Sequence, residues 1–320
     1  MLKTLIAGAV AVVLSAPAGQ AIELRAGHFI GAESSLYRQI FAAWVDDLNQ
    51  DGDAPVTVGQ VVGPESIARD QWCNAVSSGL VDMVVIGQSY CNNLVPVSEA
   101  LNAQTLPLAT LRENGAYDFL REIYARDANA YFLGQYAWGA SFHLFTSRPV
   151  ETLGDLEGMR MRSTATLRSF FDALGIEGQP MSIGDTYTAL DRGVIDGFAL
   201  PYNMIGILSL QDVATHTIAT PVFNPALMLL VNLDTWNGMS DAERAYLTEM
   251  MIKLEDEYDA DFRRQNEAMG ATLVDDLGMV SVTLDDAEDE RLRSLALTAV
   301  WDGIMEVAPE DGARLRELIN

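Results

Sequence analysis

The sequence predicts a two-lobed α/β protein, and three observations carry that expectation. Strand and helix signals alternate as β-α-β-α-β from residue 22, the order that builds a layered domain around a mostly parallel sheet. A second alternation of the same kind starts after the punctuation Arg148-Pro149 and Leu153-Gly154. A helix signal then runs over residues 241–269 with no proline or glycine inside it. At about 1.5 Å per residue that helix covers roughly 40 Å, enough to lie along both lobes.

The N-terminus reads as an address. Lys3 is the only charge before Glu23, an apolar run covers residues 5–14, and Ala18-Gly19-Gln20-Ala21 closes the segment. A charged start, a short apolar core and a small-residue exit describe a secretory signal peptide over residues 1–21, cleaved after Ala21. The run is shorter than the roughly 20 residues that span a bilayer. The expected location is periplasmic. What remains suffices for two ordinary domains.

Residues 22–26 read as a strand that ends at Gly27-His28-Phe29. Over residues 35–48, Leu36, Ile40, Phe41, Trp44, Val45 and Leu48 recur at helical spacing. Residues 56–62 alternate as a second strand, and 64–80 form a helix opened by Pro64-Glu65 and closed near Gly79. Residues 82–86 are an apolar strand, with Gly87-Gln88-Ser89-Tyr90 at its C-terminal end. A helix over 111–125 and two strand-like pieces around Trp138-Gly139-Ala140 complete a first lobe at 22–146.

The second lobe is expected at 147–225. It holds a strand at 159–162, a helix at 166–174 with Gly175 just past its end, and a short strand at 179–181. A helix at 185–192, capped by Ser182 or Asp185 and stopped by Gly193, leads to a strand at 195–200. Residues 226–270 return to the first lobe and enter the long helix, which Ser240-Asp241-Ala242-Glu243 opens as a capping box. Residues 271–320 add a strand at 280–284 and helix over 285–319, packing on the lobes.

A net charge of -25 over 320 residues excludes nucleic acid, whose phosphates such a surface repels. An anionic ligand meets the same repulsion, so its pocket must supply local positive charge. His28, His143 and His216 are scattered without metal-ligand spacing, and no cofactor is expected. Phosphate loops, a nucleophile elbow and a metal triad are absent, which argues against an enzyme. Asp185 and Asp196 read as a helix cap and a turn residue. An exported compartment allows Cys73 and Cys91 to pair; two buried thiols are the alternative.

Arg162 closes its strand. Arginine there suits bidentate capture of a planar carboxylate, and ligands of α/β lobes bind beyond the carboxyl ends of strands. A salt bridge to one of the many acids is the bland alternative. Arg160, nearer the middle of the strand, reads as structural. Phe29, Tyr90, Trp138, Phe142, Tyr202 and Phe223 fall near strand ends, where an apolar cleft would form. Candidate polar partners are Gln88, Ser89, His143, Ser163, Thr164 and Asn203.

These residues also carry a resemblance. The order Leu153-Gly154-Asp155-Leu156-Glu157-Gly158-Met159-Arg160-Met161-Arg162, Leu174-Gly175, Pro180-Met181, Tyr187-Thr188-Ala189-Leu190 and Gly193-Val194-Ile195-Asp196-Gly197 spans the second lobe. With Gly79-Leu80-Val81-Asp82-Met83 and Asn232-Leu233-Asp234-Thr235-Trp236, it resembles the periplasmic solute receptors of TRAP transporters, the DctP family. The resemblance implies a Venus-flytrap periplasmic-binding-protein fold with a long helix across both lobes. It implies that Arg162 pairs with a ligand carboxylate, that the receptor is a monomer, and that it delivers to a TRAP permease without ATP hydrolysis. Many relatives carry Gln-Glu-Asn-Pro after the Asp-Gly pair, whereas this chain has Phe198-Ala199-Leu200-Pro201, and Leu200 donates no hydrogen bond. Sialic-acid-type relatives carry another arginine near the position of His143. Both departures point to a monocarboxylate with an apolar or aromatic body. The competing readings are an exported enzyme acting on a carboxylate and a ligand-sensing subunit of a signalling receptor.

Overall fold

Apolar alternation and turn chemistry build two sheets, described by a computed structural model over residues 21–32, 38–50, 52–136, 139–224 and 227–320. Residues 1–20 of the leader expected at 1–21 and the candidate Trp138 lie outside the described residues. β1 (Ile22–His28) leads to a helix, Ala43–Gln50, whose Trp44, Val45 and Leu48 are buried. β2 (Val56–Val62) and β3 (Met83–Gly87) follow. β3 is apolar along its length because both of its faces are covered. Two helices, Leu108–Glu113 and Ala116–Ala128, precede β4 (Ala130–Tyr136).

Next come β5 (Phe142–Thr146), β6 (Arg160–Ser163), β7 (Glu177–Pro180), β8 (Gly197–Pro201) and β9 (His216–Ile218). β10 (Leu227–Asn232) precedes the long helix Asp241–Asp275, and β11 (Val280–Val282) follows it. The first sheet has the order β2-β1-β3-β10-β4 and the second β11-β9-β5-β8-β6-β7. β10 brings the chain back to the first sheet, antiparallel to both β3 and β4.

The lobe boundary expected at residue 146 falls one strand too late. β5 pairs with β8, Phe142 opposite Pro201 and Thr146 opposite Gly197, so 142–146 belong to the second sheet. Alternation marks a strand but does not say which sheet it joins.

Helix lengths also differ from expectation for local reasons. The signal over 64–80 yields only Trp72–Ser77, preceded by a short 3-10 turn at Arg69–Gln71. Glu65 accepts from the Gly63 backbone N–H at 3.0 Å and holds the chain in a turn instead. Gly115, at φ 89°, separates the two helices before β4. Pro309 splits the C-terminal signal into Asp286–Val307 and Pro309–Ile319. The long helix runs through Gly270, where a Cβ would lie 3.1 Å from the Tyr202 ring.

Two helices tie the lobes together. The long helix touches β2 and β4 of the first sheet and the helix Tyr202–Ile207 of the second lobe. Its Glu255, almost fully buried, accepts from the Tyr117 hydroxyl at 2.5 Å and the Gln135 N–H at 3.1 Å, and pairs with Arg112. Burial still raises the pKa of this carboxyl. The helix Asp286–Val307 packs on the Pro96–Ala103 segment and on the helix Ala165–Ala173, so one apolar cluster continues from Leu120 to Phe170 and Trp301. Cys73 and Cys91 are joined in a disulfide. Among the described residues, no helix is long and apolar enough to cross a membrane.

Candidate functional site

The carboxyl ends of β1, β3, β6 and β8 open onto one cleft of about 390 Å³. This follows from parallel pairing, since β1 and β3 run together in one sheet and β6 and β8 in the other. The first lobe contributes Phe29, Gln88, Ser89 and Tyr90. The Phe29 and Tyr90 ring centroids stand 5.5 Å apart. The second lobe contributes Phe142, Arg162, Thr164, Leu200 and Asn203, and Phe223 closes the wall beside Phe142. The Phe142 N–H donates to the Phe223 carbonyl at 2.8 Å, which fixes that corner.

Arg162 is 7% exposed, and its Nε is buried without a hydrogen-bond partner. Burial lowers the guanidinium's pKa; Tyr90 opposes the shift and the positive charge of Arg69 adds to it. The salt bridge open to either arginine of β6 falls to Arg160, whose Nη2 lies 3.2 Å from Asp196 Oδ1 and donates to the Gly193 carbonyl at 3.0 Å. Arg160 and Arg162 point alike on one strand, but only Arg160 reaches the Asp196 turn. Asn203, on the helix after β8, is also 7% exposed, and neither its Nδ2 nor its Oδ1 has a partner. The cleft thus offers a nearly buried guanidinium with an unpartnered Nε and one unsatisfied amide against mainly apolar walls.

Three sequence candidates lie elsewhere. His143 sits on the face of β5 opposite Phe142, and its ring stacks on Tyr202 at 4.1 Å. Its Nδ1–H donates to the Ile218 carbonyl at 3.2 Å. Burial pulls its pKa down to about 4, so the ring is neutral at ordinary pH. Tyr202 is held in that stack and packs edge-on to Phe145 at 5.7 Å. Ser163 alternates away from Arg162, and its hydroxyl donates to the Thr164 carbonyl at 3.1 Å.

The cleft also holds residues that sequence reasoning misses, chiefly Arg69, Ile183, Met204 and Phe262. Arg69 has no acidic partner among the described residues. In the helical pattern it stands four residues after Glu65, the spacing of an ordinary surface ion pair. The turn at Gly63 breaks that spacing, and the charge goes to the cleft instead. The available signal was the requirement for positive charge in so acidic a chain.

Known proteins share this architecture. The family described as bacterial extracellular solute-binding protein, family 7, matches residues 27–307. A solute-binding protein of Roseobacter denitrificans is 23% identical over 287 residues, 87% of this chain and 86% of the relative. A TRAP periplasmic solute-binding protein of Desulfovibrio salexigens, solved with orotic acid, matches with a TM-score of 0.78 at 17% identity, over 93% of this chain and 97% of that one. An extracytoplasmic solute receptor of Bordetella pertussis that binds pyroglutamic acid matches with a TM-score of 0.75 at 18% identity, over 93% and 99%. Two sheets meeting at a cleft and the extent of these matches lead to one conclusion: the chain belongs to the family 7 extracellular solute-binding proteins, the DctP-type receptors of TRAP transporters, and is a receptor and not an enzyme.

Proposed function

We propose that this receptor captures a small organic monocarboxylate with an apolar or aromatic body and hands it, as an exported monomer, to TRAP permease subunits. The observation that carries the proposal is the guanidinium of Arg162, nearly buried in an apolar-walled cleft with its Nε unpartnered. An unpaired buried charge is costly, and a ligand carboxylate removes that cost by accepting two parallel hydrogen bonds. Phe29, Tyr90 and Phe142 take the body of the ligand, and Leu200 adds wall where a polar contact would favour a second anionic group. Asn203 supplies the remaining hydrogen bonds. Ligand bridging the lobes favours the closed form, which the permease reads. Solved structures of this fold carry small carboxylic acids of varied polarity, orotic acid in one, pyroglutamic acid in another and D-glucuronate in a third.

Arg69 favours a second reading. Two arginines on one cleft suit a dianion, and a Desulfovibrio desulfuricans receptor of this fold was solved with sn-glycerol-3-phosphate. A melting-temperature screen of the purified protein separates the two readings. Aromatic and alkyl monocarboxylates should raise the melting temperature most. Stabilisation by dicarboxylates or phosphate esters alone would move the assignment to the dianion.

A further inference from the structure

We infer that the receptor selects acids that also carry a hydrogen-bond donor, a hydroxyl or N–H group, and that Glu99 enforces this choice from outside the cleft. The inference rests on the carboxylate reading above and narrows its ligand class.

Glu99 and Asn92 line a separate groove, between the Pro96–Ala103 segment and the helix Asp286–Val307. Gln88 and Asn102 line the ligand cleft. A chain of side-chain hydrogen bonds joins the two. An ionised carboxylate only accepts. Glu99 Oε1 accepts from Asn92 Nδ2, and Glu99 Oε2 accepts from Asn102 Nδ2 at 2.6 Å. Asn102 must therefore turn its amide NH₂ to the carboxylate and its Oδ1 the other way. That oxygen accepts from Gln88 Nε2. Reversing either amide would set two acceptors face to face.

The consequence lies at the end of the chain. Gln88 is 4% exposed and Asn102 is 5% exposed, so the link itself is dry. Gln88 has committed its amide nitrogen to Asn102, and its Oε1 makes no hydrogen bond to the described residues. Ser98 Oγ lies 2.9 Å from both the Gln88 backbone carbonyl and Asn92 Oδ1 and can donate its one proton to either. The cleft wall thus presents a fixed acceptor, not an amide free to flip. An acceptor removed from water loses stability unless the ligand donates to it. A hydroxyl or N–H at that point is favoured, while an ether oxygen or an apolar carbon leaves it unsatisfied. Glu99 acts as a positioning residue: it touches no ligand, yet it sets the polarity of one that does.

The test uses calorimetry on the intact receptor with phenylacetate, its three ring-hydroxylated forms and the matching methoxy ethers. At least one hydroxylated acid should bind about tenfold tighter than phenylacetate, and its ether no tighter than phenylacetate, tenfold being about 1.4 kcal/mol. In Glu99→Gln the new amide can donate to Asn102, the chain can reverse, and the hydroxyl-over-ether preference should fall below about twofold while phenylacetate binds as before. Phenylacetate binding with no hydroxyl preference in the wild type overturns the inference and leaves the carboxylate reading standing. An unchanged preference in folded Glu99→Gln overturns the role of Glu99. Binding of none of these acids overturns the aromatic-monocarboxylate reading and the inference with it.

Discussion

Arg162 should destabilise the empty receptor, and His143 should make stability depend on pH. Replacing the unpaired guanidinium by an apolar side chain of similar length, Arg162→Met, should raise the stability of ligand-free protein by about 1–3 kcal/mol in urea denaturation. A loss of stability would show that the charge is satisfied without ligand. His143 is neutral when folded, with a pKa of about 4, whereas in the unfolded chain it titrates near 6.5. Between those values the unfolded state binds the extra proton. The histidine's contribution is therefore intact above pH 6.5 and is lost as pH falls toward 4. Wild type should lose about 3 kcal/mol more than His143→Phe over that window. Equal losses would show that His143 is accessible to protons. At this scale the sequence reading was uneven. The position of Arg162 at a strand end and a structural role for Arg160 were legible, but Asp196 as the partner of Arg160 depended on where the turn after Gly193 folds back. His143 and Phe142 are neighbours on β5, and only the sheet decides which of the two faces the cleft.

The short helix Gln88–Cys91 carries three candidate ligand contacts, and the Cys73–Cys91 disulfide ties it to the helix Trp72–Ser77. Closing a loop of 18 residues restricts the unfolded chain, so the double variant Cys73→Ala, Cys91→Ala should lose about 3 kcal/mol. Unchanged denaturation of the oxidised wild type and the variant would exclude a structural bond. Element types were largely legible, because β3 is uniformly apolar and the capping box at Ser240 opens the long helix as written. Element ends were less so. Glu65 folding back on Gly63, Gly115 at positive φ and Gly270 inside a helix are tertiary or local choices that periodicity does not carry. β9 is only three residues long, and its place beside β5 depends on partners far away in the chain.

At the scale of the whole molecule, the long helix and the helix Asp286–Val307 each pack on both lobes, so the cleft lies between parts that are linked but separately built. The two-lobed plan was visible in the repeated α/β order. The strand β5 crossing to the second sheet was not, since pairing is decided by register with β8. We propose that export removes residues 1–21. Ile22 opens β1, and its N–H donates to the Pro55 carbonyl at 2.9 Å, so cleavage after Ala21 leaves the strand whole. Intact-mass measurement of exported protein should give a chain beginning at Ile22. A start within β1, or a retained leader, would contradict that placement. The acidic surface repels anions, which leaves the cleft arginines to supply the attraction. The central claim is that Arg162 anchors a ligand carboxylate, and isothermal calorimetry of wild type and Arg162→Met with the tightest acid from the melting screen tests it most directly. The account predicts a loss of about 2–4 kcal/mol in binding with the fold preserved; equal affinity in the two proteins would contradict it.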